Sequence, residues 1–432
     1  MTTSPPRPPL SPSLWSAGYS SFLVNLGAAT LAIQIQNTIV GYQMYELTGD
    51  PLALGMVGLA EAVPFISLVL LGGHVADRVD RRRVSLLAYG VMVAAAATLF
   101  ALSHNAGALG PRPLKHAVFG LIVVTGICRS FIQPARTALS AQLAPRLHYA
   151  KAVAWRTGVF QLCAVTGPAA GGLVYGWWGA DGGYAVAAAL LVLAQLVLFR
   201  LKIPARAAAT GRPALWHSLA EGIRFLRGDD LLRAAILLDL FAVLFGGAVA
   251  LLPVFANDIL HVGAKGFGLL RAAPAAGALL ASAALALSPP LRRAGLALLV
   301  AVAGFGICMI GFALSRSFVL SLGLLAASGA FDMVSILVRS TLLQLRVPET
   351  MMGRVAAINQ VFVGSSNEIG AFESGLAARL LGVVPSVIVG GLVTLGVVGF
   401  SAARSRELRQ LGPLVPEEPV PADSGGEGER AS

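Results

Sequence analysis

"GGHVADRVDRRR", residues 72–83, ends with two Asp and four Arg within seven consecutive positions. Residues 52–75, most of which precede this cluster, contain one carboxylate, Glu61, and the run Val84–Leu102 that follows contains no Asp, Glu, Lys or Arg. Apolar runs of about 20 residues are long enough to cross the ~30 Å hydrocarbon core of a bilayer as α-helices. The charged cluster is therefore predicted to be a short loop between two membrane-spanning helices.

The composition of the whole chain supports the same interpretation. Of the 432 residues, 56% are hydrophobic and 12% are charged, and the mean hydropathy is +0.76. Soluble domains carry about 25% charged residues. Only helices and closed barrels can span lipid, and the sequence lacks the alternating segments of about ten residues that build barrels. We therefore expect an all-α integral membrane protein.

Twelve segments of the sequence are predicted to be membrane-spanning helices. Of the 32 Lys and Arg residues, 24 fall in the terminal segments and in alternate linkers, five fall in the other linkers, and three lie inside spans. Because Lys and Arg accumulate in cytoplasmic loops, both termini and the 72–83 loop are predicted to be cytoplasmic. The predicted spans are 18–45, 52–75, 84–104, 116–138, 149–175, 183–200, 233–256, 266–287, 295–314, 317–338, 353–378 and 386–403.

The predicted spans divide the chain into five regions. In the longest internal linker, Leu215, Leu219, Ile223 and Leu226 recur at helical spacing beside basic residues, which predicts an amphipathic helix on the membrane surface. The Pro/Gly/Glu-rich C-terminal sequence predicts disorder. The regions are a disordered cytoplasmic N-terminus at 1–17, an N-terminal six-helix half at 18–200, a cytoplasmic linker at 201–232, a C-terminal six-helix half at 233–403 and a disordered cytoplasmic tail at 404–432.

The two halves share an internal repeat. At an offset of 203 positions, the region of the fourth and fifth predicted helices aligns without a gap on that of the tenth and eleventh. The offset places Arg136 on Arg339 and Gly172 on Gly375. Six helices separate the copies, so both halves are predicted to have the same orientation. Parallel repeats are typical of transporters whose substrate site lies between the halves, near the midplane of the membrane.

The charged loop contains a motif that is found in a transporter family. Gly73, Asp77, Arg78, Arg81 and Arg82 form the pattern G-x3-D-R-x-x-R-R between the second and third predicted helices. This pattern resembles the loop motif G-x3-D-[RK]-x-G-[RK]-[RK] of the major facilitator superfamily. The resemblance extends over the membrane domain and implies the fold of that family, in which twelve helices form two parallel six-helix halves.

Two further features resemble particular branches of the superfamily. Asp80 replaces the second glycine of the motif, and an acidic residue is frequent there in the drug-efflux and siderophore-export branch. Together with "YELTGDPLALG" (45–55) and "QPARTALSAQLAP" (133–145), the loop is similar to the group of enterobactin exporters and macrolide-efflux-like proteins. The segment "GPAAGG" resembles the G-P-x-x-G-G element of the family's antiporters, and its matching residues are Gly167, Pro168, Gly171 and Gly172.

The resemblance implies that the loop is a conformational latch. Its Arg side chains would bind acids and helix-end carbonyls of neighbouring helices, and Asp77 would lie near the start of the eleventh helix, close to Gly353. An anion at a helix N-terminus is favoured by roughly 0.3–1 kcal/mol. The alternative is an anchor that only follows the positive-inside rule, which requires the Arg residues but neither Asp77 nor the glycines.

Ionisable residues inside the predicted spans are candidate functional groups, because a charge at the bilayer centre costs roughly 2.5–3.5 kcal/mol on insertion scales. Glu61, Asp239 and Glu368 are candidate proton carriers, or buried carboxyl groups with a structural role. Arg129 and Asp332 occupy equivalent positions in the repeat. They either pair or coordinate substrate across a central cavity, or form two separate local salt bridges.

Polar residues of several predicted helices complete the candidate substrate cavity, with interhelical hydrogen bonding as the alternative role for each. Phe131, Phe160 and Phe362 are candidate aromatic walls. Besides Arg129 and Asp332, the polar candidates are Gln34, Asn37, Gln133, Gln161, Asn359 and Gln360.

These features predict a secondary active transporter, a proton-coupled exporter of siderophores or drug-like molecules that works by alternating access. A sensor or scaffold that does not translocate, and an uptake or lipid permease of the same fold, are the alternatives. The six His show no metal-ligand spacing and the sequence has no G-K-[ST] phosphate loop, so we expect no enzyme activity, cofactor or metal. The expected partners are a small-molecule substrate, protons and the bilayer, with no nucleic acid. We expect a monomer in the bacterial inner membrane.

Overall fold

The computed structural model describes residues 17–144, 148–201, 215–246, 248–289 and 291–413, and within these ranges it contains helices and linkers but no β-strand. A 3₁₀ segment at Ala248–Leu251 and a π-helical segment at Phe255–Ile259 flank the short helix α9. The helices are α1 Ala17–Thr48, α2 Pro51–Arg78, α3 Arg81–His104, α4 Ala106–Leu109, α5 Pro111–Leu143, α6 Tyr149–Arg200, α7 Leu215–Gly228, α8 Asp230–Phe245, α9 Leu252–Val254, α10 Gly263–Leu287, α11 Ala294–Leu314, α12 Phe318–Arg346, α13 Glu349–Leu381, α14 Val383–Arg404 and α15 Arg406–Gln410.

Ten helical stretches of the described chain are long and apolar enough to cross a membrane. One of them, Lys151–Arg200, is interrupted by Gly179, whose backbone is non-helical (φ 71°, ψ −169°), between the predicted fifth and sixth helices. α13, which covers the predicted eleventh span, is not among the ten. The chain is a multi-pass helical membrane protein.

Capping residues extend several helices beyond the apolar runs from which they were predicted. α2 begins at Pro51 because the Asp50 side chain accepts a hydrogen bond from the Leu52 N–H at 3.0 Å. α3 begins at Arg81 because Asp80 accepts one from the Arg82 N–H at 2.9 Å. Carboxylates at these positions satisfy N–H groups that have no partner within the helix. Asp80, which departs from the family motif, thus has a local structural role.

Short linkers at opposite ends of the bundle connect the long helices. Gly49 (φ 60°), Gly110 (φ 76°) and Gly382 (φ 90°) have left-handed backbones that favour glycine, and Gly49 joins α1 to α2. Val79 joins α2 to α3 at the other end of the bundle. We call these two ends the Gly49 end and the Val79 end.

The helices pack as two groups. α1 packs on α6, and α5 packs on α2 and α3, whereas in the second group α12 packs on α10 and α11, and α11 on α14. The groups contact each other through α2 with α13 and through α6 with α10. Each group therefore has its own hydrophobic core, and a small set of helices forms the boundary between the groups.

The predicted amphipathic helix is present as α7, whose Leu226 is buried in a hydrophobic cluster of the second group. Part of the predicted C-terminal tail belongs to the same cluster, because Leu408 of α15 is fully buried in it. The remaining parts of the predicted disordered regions, residues 1–16 and 414–432, lie outside the described residues. The three cysteines are buried and form no disulfide.

Candidate functional site

A cavity of about 380 Å³ lies between the two helix groups. Helices α1, α2 and α5 line one side, and α8 and α10 to α13 line the other. Pockets that bind small organic molecules have volumes of about 300–1,000 Å³, so the cavity has the size of a small-molecule site. Its charged and polar lining residues are Gln36, Asn37, Glu61, Thr125, Arg271, Ser328, Asp332 and Asn367.

Glu61 of α2 and Arg129 of α5 form an ion pair beside this cavity. Gly126 allows the pair to form, because a Cβ at Gly126 would lie 2.5 Å from the Glu61 carbonyl oxygen and 2.9 Å from the Pro64 ring. Arg129 follows Gly126 by three residues and so lies on the same face of α5. Its guanidinium lies 5.8 Å from the centre of the Phe65 ring.

In the second group, α12 packs on α10 as α5 packs on α2 in the first group. A Cβ at Gly329 of α12 would lie only 1.9 Å from the carbonyl oxygen of Pro274 on α10. Asp332 follows Gly329 by three residues, and Arg271 precedes Pro274 by three residues. Both Asp332 and Arg271 line the cavity.

The two groups carry opposite charges at one pair of corresponding places, on α5 and α12. The offset of 203 relates Arg129 to Asp332. On α2 and α10 the glycine contacts relate Gly55 to Gly268, and the same relation places Glu61 on Pro274 rather than on Arg271. The first group thus has an acid on α2 and a base on α5, whereas the second has a base on α10 and an acid on α12. Arg129 does not pair with Asp332, because its carboxylate partner is Glu61. The alternative of separate local ion pairs is therefore correct for Arg129.

A second buried ion pair connects α8 with α12. Nη2 of Arg339 lies 2.7 Å from Oδ1 of Asp239, and the two side chains are 8% and 6% exposed. Asp332, about two turns before Arg339 on α12, interacts electrostatically with both groups. Asp239 and Asp332, together with Ser335, line one small cavity. Arg339 therefore has Asp239 as its ion-pair partner, and the second carboxylate, Asp332, lies beside Asp239.

Glycines bring the two helix groups into backbone contact near the Gly49 end. A Cβ at Gly172 of α6 would lie 2.6 Å from the Cα of Gly268 on α10. A Cβ at Gly375 of α13 would lie 3.0 Å from the Cα of Gly55 on α2. Since the repeat relates Gly172 to Gly375, the two contacts are equivalent in the two halves.

Polar contacts between the groups surround these glycines. The Tyr42 hydroxyl donates a hydrogen bond to Oδ1 of Asn257 at 3.2 Å, and the Tyr45 hydroxyl donates one to Asp258. Arg379 and Asp50 form an ion pair at 3.5 Å. The Lys265 ammonium lies 5.5 Å from the centre of the Trp177 ring. Nη1 of Arg271 donates a hydrogen bond to the Asn37 carbonyl at 3.5 Å.

In the charged loop, two of the Arg residues bind the ends of neighbouring helices, as the resemblance implied. Nη1 of Arg81 donates to the Ala138 carbonyl at 3.3 Å, near the end of α5. Nε of Arg82 donates to the Leu198 carbonyl at 3.3 Å, and its Nη2 donates to the Phe199 carbonyl, both at the end of α6. Cations are favoured at helix C-termini.

The other residues of the loop motif have no contact in the described structure that explains their presence in the motif. Arg78 is exposed, and the side chain of Asp77 lies outside the described part of the structure. A Cβ at Gly73 would meet no atom within 4 Å, whereas one at Gly72 would lie 2.1 Å from the Ser130 carbonyl oxygen. The close approach of α2 to α5 therefore requires Gly72, which the motif does not include.

The antiporter-like segment of α6 packs against two helices. A Cβ at Gly167 would lie 2.5 Å from Cβ of Gln34, and one at Gly171 would lie 3.1 Å from Cβ of Thr38, both on α1. Gly172 faces α10, and the carbonyl oxygen of Pro168 would lie 2.7 Å from a Cβ at Gly268. The segment thus allows α6 to pack between α1 of its own group and α10 of the other group.

Of the predicted cavity residues, Asn37 and Asp332 line the cavity. Gln34 instead packs on Gly167, Gln133 is exposed, and Gln161 and Asn359 are half-buried elsewhere. The side chains of Gln360 and Glu368 lie outside the described residues. The predicted phenylalanines are not in the lining, where the aromatic residue is Phe305. Sequence reasoning missed Arg271 and Asn367, whose signal is a polar side chain inside an apolar span.

Among the residues that the structure describes, no group of three or more His, Cys, Asp or Glu is arranged to hold a metal ion. A sequence profile of the Major Facilitator Superfamily matches residues 22–371. The chain belongs to the Major Facilitator Superfamily. The match includes the charged loop, the antiporter-like segment and the residues of the central cavity described above.

Relatives within this superfamily include named exporters. The chain is 28% identical to the enterobactin exporter EntS of Salmonella typhi over 398 residues, which cover 91% of this chain and 92% of the relative. It is also 28% identical to EntS of Citrobacter koseri over 379 residues, covering 87% and 88%. This likeness runs along nearly the full length of both proteins.

Solved structures of other superfamily members have the same fold at low sequence identity. A POT family transporter superposes with a TM-score of 0.71 at 12% identity, covering 91% of this chain and 96% of the other. The D-xylose-proton symporter superposes with a TM-score of 0.68 at 14% identity, covering 91% and 98%. At such identities the likeness is one of fold.

Proposed function

We propose that this superfamily member is a proton-coupled exporter of small organic molecules, siderophores or drug-like compounds, that works by alternating access. The observation that carries the proposal is the cavity of about 380 Å³ between the two helix groups, with charged groups from both. The enterobactin exporters that it resembles over 91% of its length support a siderophore-like cargo. Its partners are the substrate, protons and the bilayer, and it functions as a monomer.

For this function we propose the twelve-span architecture. The break at Gly179 divides α6 into two spans, and α13 adds one more to the stretches that are apolar enough to cross a membrane. The N-terminal half is then 18–200, the linker 201–232 and the C-terminal half 233–403. The basic residues support both termini and the Val79 end being cytoplasmic, in the bacterial inner membrane.

In this arrangement the Gly49 end faces outwards and is closed by the glycine contacts and the polar contacts around them. Transport would require these contacts to separate while the Val79 end closes. The Arg81 and Arg82 contacts stay within the N-terminal half, so they would keep that half rigid during the motion. A latch between the halves would depend on Asp77.

The candidate proton carriers from the sequence differ in their surroundings. Glu61 is paired with Arg129 and Asp239 with Arg339, so each of these carboxylates has a positive partner inside the membrane. Glu368 is the third candidate. For substrate contacts we propose Asn37 and Asp332 together with Arg271, because all three line the cavity.

Flux through reconstituted vesicles tests the function. The purified protein is inserted into liposomes, a pH gradient is imposed, and accumulation of enterobactin and of ethidium is measured in parallel. One charge moved through 100 mV is worth about 2.3 kcal/mol, which supports a concentration ratio of about fifty-fold. Accumulation that collapses with a protonophore is the expected result. Binding without flux would indicate a sensor or scaffold, and gradient-independent flux or lipid movement would indicate a permease.

A further inference from the structure

In the C-terminal half, two carboxylates, Asp239 and Asp332, lie near the single guanidinium of Arg339. Asp239 is the ion-pair partner of Arg339 at 2.7 Å. Asp332 interacts electrostatically with both of them and shares a small cavity with Asp239. Asp332 itself forms no ion pair with a described residue, and Nε of Arg339 has no hydrogen-bond partner in that part of the chain.

The N-terminal half differs in this respect. There Glu61 and Arg129 form a one-to-one pair on α2 and α5. The place that Arg129 occupies in the N-terminal half is occupied by Asp332 in the C-terminal half, and the place of Glu61 by Pro274. In the second half, however, the acid lies beside another acid. Two carboxylates that share a site with little water cannot both carry a full charge without a large energetic cost.

We propose that Asp332 is the carboxyl group of the central cavity that binds and releases the proton. A hydronium ion that reaches the cavity gives up a proton and becomes water, and this proton forms an O–H bond with the Asp332 carboxylate, which becomes neutral, while Asp239 keeps its ion pair with Arg339. The cavity lining gives this group a path to water. The coupling of this proton to transport rests on the proposed function, but its binding to Asp332 does not.

The charged groups around Asp332 come from several helices. Arg339 lies on its own helix, Asp239 on α8 and Arg271 on α10, and across the cavity lie Glu61 and its partner Arg129. A positive partner near Asp332, whether Arg271 after a movement of α10 or a cationic group of the substrate, would favour release of the proton. Glu61 already has such a partner in Arg129.

The test is pH-difference infrared spectroscopy of the full-length protein in lipid nanodiscs, without any substrate. The C=O stretching band of a neutral carboxylic acid has a different infrared frequency from the bands of a carboxylate, so the two forms can be distinguished. We expect a band of this kind in the wild type that titrates with pH, is lost in Asp332→Asn and persists in Glu61→Gln. In a weakly buffered titration, Asp332→Asn should take up one proton fewer per chain.

Isotope labelling of the wild type assigns the band to aspartate or to glutamate without any variant. Aspartate labelled with ¹³C at its side-chain carboxyl should shift the band of the wild type, whereas labelled glutamate should not. A band that shifts only with labelled glutamate, is lost in Glu61→Gln or persists unchanged in a folded Asp332→Asn variant would overturn the proposal. This experiment measures proton binding and not flux, so it is independent of the exporter function. A protein that binds this proton but transports nothing would disprove the exporter function and leave the proposal for Asp332 intact.

Discussion

A Cβ atom at Gly172 of α6 would lie 2.6 Å from the Cα of Gly268 on α10, so the two helix groups meet there backbone to backbone. No carbon atom can approach another so closely without displacement. Since the repeat-related pair, Gly375 with Gly55, makes the matching contact at 3.0 Å, the Gly49 end is closed at two equivalent places. We predict that Gly172→Ala shifts the equilibrium towards a conformation that is open at this end.

Overpacking by one methyl group costs about 1–3 kcal/mol, which corresponds to an about 5- to 150-fold change in the equilibrium. Spin labels at Leu109 and Leu381, which are 39% and 55% exposed at the Gly49 end, should report a longer distance in Gly172→Ala than in the wild type. The control is Gly158→Ala on the same helix, because a Cβ at Gly158 would meet no atom within 4 Å. Equal distance distributions in all three proteins would contradict the prediction.

The second prediction separates two adjacent Arg residues of the charged loop. Arg82 donates hydrogen bonds to the carbonyls of Leu198 and Phe199, whereas the Arg83 side chain is 85% exposed and lies 3.8 Å from Asp80. A hydrogen bond from a charged group contributes about 1.5 kcal/mol or more, and an exposed ion pair contributes little. Arg82→Gln should therefore lower the unfolding temperature, and Arg83→Gln should leave it unchanged. Thermal unfolding followed by circular dichroism measures both, and equal effects would argue against the helix-end contacts.

The third prediction concerns the ion pair of Arg339 with Asp239, whose side chains are 8% and 6% exposed. Removing one partner of such a pair leaves a buried charge and costs about 3–5 kcal/mol. We expect Arg339→Met to be strongly destabilised and the double variant Asp239→Leu/Arg339→Met to recover much of the loss. Arg346→Met is the control, since Arg346 is 50% exposed and lies 3.6 Å from Asp229. Denaturation in detergent measures all three, and a stable Arg339→Met would show that the pair contributes little.

The sequence predicts the helices well because the hydropathy of a segment depends on that segment alone. Each predicted span overlaps a described helix, and the largest differences at helix ends are the extension of α12 to Arg346 and the end of α8 at Phe245, before the 3₁₀ segment. Binding of Arg82 to the end of α6 was implied by the family resemblance. These features are local, or they belong to a recurrent loop.

Side-chain partners could not be predicted in the same way, because they depend on how each helix is rotated against its neighbours. Gly72 and Gly73 are adjacent in sequence, yet only Gly72 faces α5. Arg129 meets Glu61 because Gly126 turns that face of α5 towards α2. The repeat relates Arg129 to Asp332 correctly, but it does not reveal that each has different neighbours. The cavity lining depends on the same rotations.

The fourth prediction tests the orientation in the membrane. The loop at the Val79 end should be cytoplasmic and the Gly49 end should face outwards. Single cysteines at Arg83 and Leu109 are suitable because both positions are exposed, and the three native cysteines are buried. In intact cells, a membrane-impermeant maleimide should label Leu109→Cys, and it should label Arg83→Cys only after lysis. Labelling of both in intact cells would exclude this topology.

The last prediction separates two roles for Glu61. As a proton carrier, Glu61 would be essential for accumulation driven by a pH gradient but not for exchange of substrate across the membrane. As the ion-pair partner of Arg129, it would support the packing of α2 on α5 instead. We expect the second role, because Glu61 has a positive partner whereas Asp332 lies beside another acid.

Glu61→Gln should therefore slow transport while keeping the pH dependence of gradient-driven accumulation. In Glu61→Gln the charge of Arg129 loses its Glu61 partner in a largely buried site, where Arg129 is 28% and Glu61 12% exposed. The double variant Glu61→Gln/Arg129→Gln removes that charge as well, so it should transport faster than Glu61→Gln. Asp332→Asn is the comparison: it should lose gradient-driven accumulation, and the counterflow exchange that remains should no longer depend on pH. Vesicle uptake of enterobactin or ethidium at several pH values measures all of these variants. If Glu61→Gln shows the behaviour expected of Asp332→Asn, Glu61 is the proton carrier.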